Sequence, residues 1–335
     1  MKKQNCKRIL KNIVISLVIP VSIFIIFAIL TEGRTATMRM LTTTIRQSVV
    51  PIIICWGLML NFSVGMVNFS AGAMVLFSGI IGGNLALATG TGVLGIFIFC
   101  VVVAATLGAI TGFLYKAIRV PSMVLTIGTL MIWESAPNIP YPNGVLIPFE
   151  MNVLATSPYI YILLALQLVI FYLLFNKTAF GHNLSAIGNN QTIANSVGIN
   201  SDRIKMLSFV FGGVFLGVAA AVHLSSSGEL RNATALSSMM IMMDGFMGVF
   251  MAMFLARYCN IAFAVMIGTF SMRMLSNGFI AMGFSATVRD IVQGLLLLTL
   301  LTISANAGLL ETRRANRVFK ETADKEQMKE KPMII

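Results

Sequence analysis

Apolar runs of about the ~20 residues that a helix needs to cross the hydrocarbon core of a bilayer recur along the whole chain, and they dictate what it can fold into. Ten such runs are read: Ile13–Leu30, Val49–Gly65, Phe69–Ala88, Val93–Tyr115, Ser122–Glu134, Tyr159–Phe175, Met206–Ser225, Met239–Ala256, Ile261–Gly278 and Thr287–Ile303. Backbone amides in hydrocarbon must be satisfied within their own segment, so each run is expected to be a helix. Hydrophobic residues make up 57% of the chain and charged ones 11%, against roughly a quarter charged in soluble domains. The expected fold is therefore an all-α polytopic membrane protein with about ten transmembrane helices. The connection GMVNFSAG between the second and third runs is short and contains glycine, so these two runs read either as two spans or as one broken helix.

The distribution of charge orients the spans. Lysine and arginine number 24 against 12 acidic residues, a net charge of +12, but the basic residues gather at the termini and in short connections. That pattern speaks for membrane topology rather than for nucleic acid. Lys2, Lys3, Lys7, Arg8 and Lys11 precede the first run in the manner of a secretory signal, yet no soluble domain follows it, so an uncleaved signal-anchor is expected. With the N-terminus inside, ten spans return the C-terminus to the cytoplasm beside Arg313, Arg314, Arg317 and Lys320. Lys116, Arg119, Lys177, Arg203 and Lys205 then fall inside, and the loop from Ser135 to Pro158, which has Glu150 and no basic residue, falls outside. Arg34, Arg39 and Arg46 fall outside, against the rule. The resulting division is a basic cytoplasmic N-terminus (1–12), a transmembrane domain (13–303) with a cytoplasmic loop at 176–205, and a charged cytoplasmic tail (304–335) that is either simply solvated or drawn to anionic lipid.

Catalytic chemistry finds little support. The chain has no GxxxxGK[ST] loop and no HExxH, and its four cysteines show no metal-ligand spacing, so neither enzyme activity nor a metal or cofactor is expected. His223, near the end of an apolar run, reads as a satisfied or cavity-lining histidine rather than a base. Glycines at 79, 82 and 83, at 108 and 112, and at 212, 213 and 217 are spaced for close approach of helix backbones in lipid. Polar residues inside spans carry more information, because a charge at mid-bilayer costs several kcal/mol. Asp244 and Arg273 are expected to face a cavity or each other, as a structural pair or as part of a path. Asn61, Asn68 and Asn277 supply neutral hydrogen-bonding groups, suited either to interhelical bonds or to a hydroxylated solute.

The longest polar stretch between spans, TAFGHNLSAIGNNQTIANSVGINSDRIK from Thr178 to Lys205, combines an aromatic-Gly turn, Ala186-Ile187-Gly188-Asn189-Asn190, a short Ala/Asn-rich helix and Val197-Gly198-Ile199-Asn200. It resembles the cytoplasmic loop of permease subunits in the ribose/monosaccharide-type family of ABC importers. The resemblance runs from Ile45 to Gly294: GMVNFSAGAMVLFSG matches a GIDLSVG-type helix start, FLYKAIRVPSMVLTIGTLMI a basic turn followed by proline and a T-x-G-T helix, and LSNGFIAMGFSATVRDIVQGLLLL the C-terminal helix pair. Two departures bear on the solute rather than the architecture. Asn68 stands where the family usually has aspartate, and DGFMGVFMAMFLARYCN replaces a glycine-rich GGxSxxGGxG turn.

The resemblance implies a subunit that forms the translocation pathway for a small hydroxylated solute such as ribose or a related monosaccharide. It further implies cytoplasmic ABC ATPase subunits, a second permease subunit of the same or a homologous chain, and an extracytoplasmic solute-binding protein; a lipid bilayer surrounds it and no nucleic acid is involved. Asn61, Asn68, Asp244, Arg273 and Asn277 are the residues expected along the path, and Gly181, His182, Gly188, Asn189, Asn190, Ala194 and Gly198 those of the loop that meets the ATPase. Two other classes stay open: an ion-coupled secondary transporter with Asp244 and Asp290 as proton carriers, and a channel or scaffold.

Overall fold

The computed structural model describes residue 16 and residues 18–285, 287–296, 298–299 and 302. The expectations for the N-terminus (1–12) and the tail (304–335) lie outside the described residues, as do parts of the first and last apolar runs.

Helices dominate. They are α1 (Val18–Leu30), α2 (Met38–Phe62), α3 (Ala71–Thr89), α4 (Gly92–Ile118), α5 (Ser122–Ser135), α6 (Tyr159–Lys177), α7 (Ala179–Asn189), α8 (Gln191–Ser196), α9 (Ser201–Ser227), α10 (Met239–Leu255), α11 (Ile261–Ala281) and α12 (287–296). Six of these, α2, α3, α4, α6, α9 and α11, are long and apolar enough to cross a membrane, and α1 and α10 are shorter apolar helices. The chain is thus an all-α polytopic membrane protein at this level.

The largest departure from the sequence expectation is at α2. The helix begins at Met38 rather than Val49, so Arg39 and Arg46 belong to it instead of to a preceding loop. Its polar first half stays helical because hydroxyls bond back to its own carbonyls, Thr42 Oγ1 to Met38 O at 3.0 Å, Thr44 Oγ1 to Met40 O at 2.8 Å and Ser48 Oγ to Ile45 O at 2.7 Å. The second half, from Val49 to Asn61, is almost wholly buried.

Residues 63–70 are not helical, so the GMVNFSAG stretch holds two separate helices apart, its last two residues opening α3. Polar groups of α5 satisfy this segment: Ser122 Oγ accepts from Val67 N at 3.3 Å and Thr126 Oγ1 donates to Val67 O at 3.3 Å. Such pairing is what non-helical backbone inside a membrane protein requires.

Helix α9 is the centre of the bundle, packed by α2, α3 and α4. Its contact with α4 is backbone to backbone. A Cβ at Gly108 would come within 2.4 Å of Phe209 O, and one at Gly213 within 2.5 Å of Ala104 O. In lipid, where apolar burial drives nothing between helices, contact of this closeness is the source of adhesion. Helix α6 has the opposite character, burying only Ile160, Gln167 and Phe171.

The loop after α5 folds into two short 3-10 helices, Ala136–Asn138 and Phe149–Ala155, with strand β1 (Val145–Leu146) between them. Strand β2 (Glu229–Leu230), just past α9, pairs with β1 antiparallel, Val145 opposite Leu230. Asn232 Nδ2 adds bonds to Tyr141 O at 2.7 Å and Pro142 O at 3.0 Å.

Candidate functional site

One face of α2 builds a wall. Thr43, Arg46, Gln47, Val50, Pro51 and Ile54 recur at the three- and four-residue spacing of a helical stripe, and all line a cavity of about 630 Å³. The remaining walls are Ile160 of α6, Val222, His223 and Ser226 of α9, Ile241 and Asp244 of α10, and Arg273, Asn277 and Ile280 of α11. The volume is within the ordinary range of small-molecule sites, and the lining mixes aliphatic surface with a few polar groups.

The polar groups are ordered among themselves. Arg273 Nη2 donates to Asp244 Oδ2 at 3.0 Å, joining α11 to α10, with the arginine side chain 23% and the aspartate 45% exposed. Asn277 is buried and donates from Nδ2 to Thr44 Oγ1 at 3.0 Å and to Gln47 Oε1 at 2.9 Å, joining α11 to α2. Ser226 Oγ donates to His223 O at 2.8 Å, which leaves its own oxygen lone pairs free to accept.

Of the five residues expected along a path, the structure thus brings Asp244, Arg273 and Asn277 together. It places the other two elsewhere. Asn61 is buried on α2 and accepts from Ser208 Oγ of α9 at 3.0 Å. Asn68 accepts from the backbone N–H of Ser70 at 3.1 Å and from its hydroxyl at 2.7 Å, shaping the entry to α3. Gln47 and Ser226 were not singled out from sequence, and Arg46 was read only as a topology exception in a loop. For Arg46 and Gln47 the signal is the stripe from Thr43 to Ile54, which a span beginning at Val49 cuts through; Ser226 lies at the end of α9 and has no such signal.

A second cavity of about 530 Å³, lined by residues such as Val21, Phe24, Ile45, Leu164, Ile267 and Met274, is almost entirely apolar and has little with which to orient a hydroxylated molecule.

At the other end of α2 lies the long polar loop, which folds as α7 and α8. Thr178 caps α7 by accepting from Gly181 N at 3.2 Å, Asn190 caps α8 by accepting from Ile193 N at 3.1 Å, and Asn200 caps α9 by accepting from Arg203 N at 3.0 Å. His182 is exposed and its Nδ1 donates to Thr178 O at 2.7 Å. Gly181 lies against the Phe175 carbonyl, Asn189 is exposed at the end of α7, and Gly198 turns the chain with φ of +89°. Gly188 is the contact between loop and bundle: a Cβ there would come within 2.1 Å of Ser63 O, just past the end of α2. Ala194 is buried in the core, whereas Ile193 and Val197 beside it are 62% and 70% exposed.

The family described as branched-chain amino acid transport system, permease component, matches residues 40–301. The chain belongs to this permease family. The match takes in the cavity lining and the α7–α8 loop, and with the long apolar helices it makes the permease a multi-pass protein of the bacterial membrane. Similar proteins include the autoinducer 2 import system permease protein LsrC of Klebsiella pneumoniae, 31% identical over 140 residues, covering 39% of this chain and 40% of that one. The protein of the same name from Yersinia pestis strain Pestoides F is 29% identical over 161 residues, covering 45% of each, and that of Yersinia enterocolitica 30% over 160 residues, covering 45% of this chain and 44% of the relative. The permease thus aligns with less than half the length of these relatives. No solved structure matches it.

Proposed function

We propose that the permease forms the translocation pathway of an ABC importer for a small hydroxylated solute, and that the cavity among α2, α9, α10 and α11 is where the solute passes. The observation that carries this reading is the cavity lining: Gln47, His223, Ser226, Asp244, Arg273 and Asn277 offer donors and acceptors around a space of about 630 Å³ within an apolar bundle. Asn61 and Asn68 support the helices that frame it. Ribose, and the autoinducer 2 in the relatives' names, are the first solutes to test.

Energy comes from partners. Cytoplasmic ABC ATPase subunits dock on α7 and α8, where Ile193 and Val197 present exposed apolar side chains on an otherwise polar loop. A second permease subunit completes the pore, and an extracytoplasmic binding protein delivers the solute. In this arrangement both termini and residues 176–205 are cytoplasmic, and the β1–β2 ribbon is extracytoplasmic.

The test is ATP-driven uptake of labelled ribose and autoinducer 2 by vesicles that contain the permease with its ATPase and binding protein. Uptake that requires ATP supports the reading. Uptake by the permease alone that follows an imposed ion gradient would replace it with a secondary transporter.

A further inference from the structure

We infer that the solute carries an oxyanion, a carboxylate or a phosphate, and that Arg46 receives it. The inference rests on the proposed role of the cavity and names the chemistry of what that cavity takes.

The charge inventory of the lining leads to it. Three formally charged side chains line the cavity: Arg46, Asp244 and Arg273. Arg273 and Asp244 form an ion pair at 3.0 Å and cancel. The other ion pairs among the described residues are Arg231 with Glu229 and Arg289 with Asp290, so no described carboxylate lies within ion-pair distance of Arg46. His223, the remaining titratable group in the lining, carries no negative charge that could offset Arg46.

Geometry points the same way. Arg46 shares the helical stripe with Gln47, Val50, Pro51 and Ile54, so its side chain leaves α2 on the face that the cavity occupies. Beside it, Gln47 uses its Oε1 to accept from Asn277, which leaves the Gln47 amide N–H groups as donors. A guanidinium with a neighbouring amide donor is a receptor for a planar or tetrahedral oxyanion, since arginine pairs bidentately with both. Across the cavity the spare groups are acceptors, the second carboxylate oxygen of Asp244 and the Ser226 hydroxyl oxygen, which suit the hydroxyls of the same solute. Arg46 is exposed to the open cavity, so a neutral solute leaves its charge to water, whereas an oxyanion compensates it directly.

The permease complex with its ATPase and binding protein, in vesicles, is tested with three labelled probes: ribose, ribonate and ribose 5-phosphate. At least one anionic probe is expected to be taken up in preference to ribose. In Arg46→Gln the ratio of anionic to neutral uptake should fall by about tenfold or more, as for loss of one charge-assisted contact, and Arg46→Lys should recover part of it. ATPase co-purification checks that each variant assembles; if Arg46→Gln does not, the wild-type preference and Arg46→Lys decide. ATP-dependent uptake of ribose with neither anion taken up, or an unchanged ratio in Arg46→Gln, overturns the oxyanion assignment and leaves the importer reading standing. Failure of all three probes in a complex that hydrolyses ATP overturns both the assignment and the sugar-like solute.

Discussion

The Ser238 hydroxyl donates to a carboxylate oxygen of Glu134, tying the end of α5 to the residue that precedes α10. Glu134 is only 4% exposed, and its other oxygen is buried without a partner among the described residues. Removing the donor with Ser238→Ala strands the carboxyl, for an expected loss of about 1–3 kcal/mol. Replacing both partners, as in Glu134→Met with Ser238→Ala, should cost less than Ser238→Ala alone. Thermal unfolding of the four proteins in detergent gives the coupling, and additive losses would show that the bond contributes nothing.

The α4–α9 contact tolerates no side chain. Gly213→Val and Gly108→Leu each place carbon against a carbonyl, Ala104 O and Phe209 O respectively. Each is expected to destabilise the bundle by about 1–3 kcal/mol or more through forced separation of the helices. A melting temperature unchanged in both would mean that the helices are not in backbone contact.

In the polar loop, exposure separates docking from folding. Ile193→Glu or Val197→Glu should cost about 2 kcal/mol of ATPase binding, seen as reduced co-purification and reduced stimulated hydrolysis, with normal membrane insertion. Ala194→Glu should act instead on the loop's own packing, because Ala194 is buried. Full complex formation and hydrolysis by both surface variants would remove the docking role.

The ion pair between Asp244 and Arg273 is part exposed, so its contribution to stability should be modest, about 1 kcal/mol or less. Transport is expected to suffer more. Asp244→Asn and Arg273→Gln should each lower uptake severalfold while barely moving the melting temperature. The reverse outcome, a large stability loss with normal uptake, would make the pair structural.

Topology is open to thiol labelling. A cysteine at Asn189 should react with an impermeant maleimide only in inside-out vesicles, and reaction in intact cells would refute a cytoplasmic loop. Burial raises the Cys259 thiol above its ordinary pKa of 9.0. At pH 7 it therefore stays protonated and labels slowly, and its background should grow as the pH rises.

Of the ten expected spans, the six that are long apolar helices were legible, and so was the ionisable pair, because both are marked by composition: apolar runs, and two charges inside them. The start of α2 was not. Hydropathy reads Arg39, Thr42, Thr43, Thr44 and Arg46 as a loop, whereas the hydroxyl-to-carbonyl bonds and the cavity let them stand on a helix. Asn61 and Asn277 show a different limit. Both are amides in buried helices, but one meets Ser208 on a neighbouring helix and the other lines the cavity, a difference set by helix rotation that residue type does not encode. The same holds for Ala194, whose inward phase depends on how α8 sits on the bundle.

Helix α2 gives both ends of the molecule a common mechanical part. At 25 residues it is roughly 37 Å long, its C-terminal end meets Gly188 through Ser63, and its other half forms the cavity wall. A push on the polar loop is therefore delivered to the cavity along one covalent rod, with no relay of side chains between them. Pro51 withdraws one backbone hydrogen bond from that rod at the cavity's edge, which puts its most compliant joint where a change of angle alters the width of the opening rather than the seat of the loop.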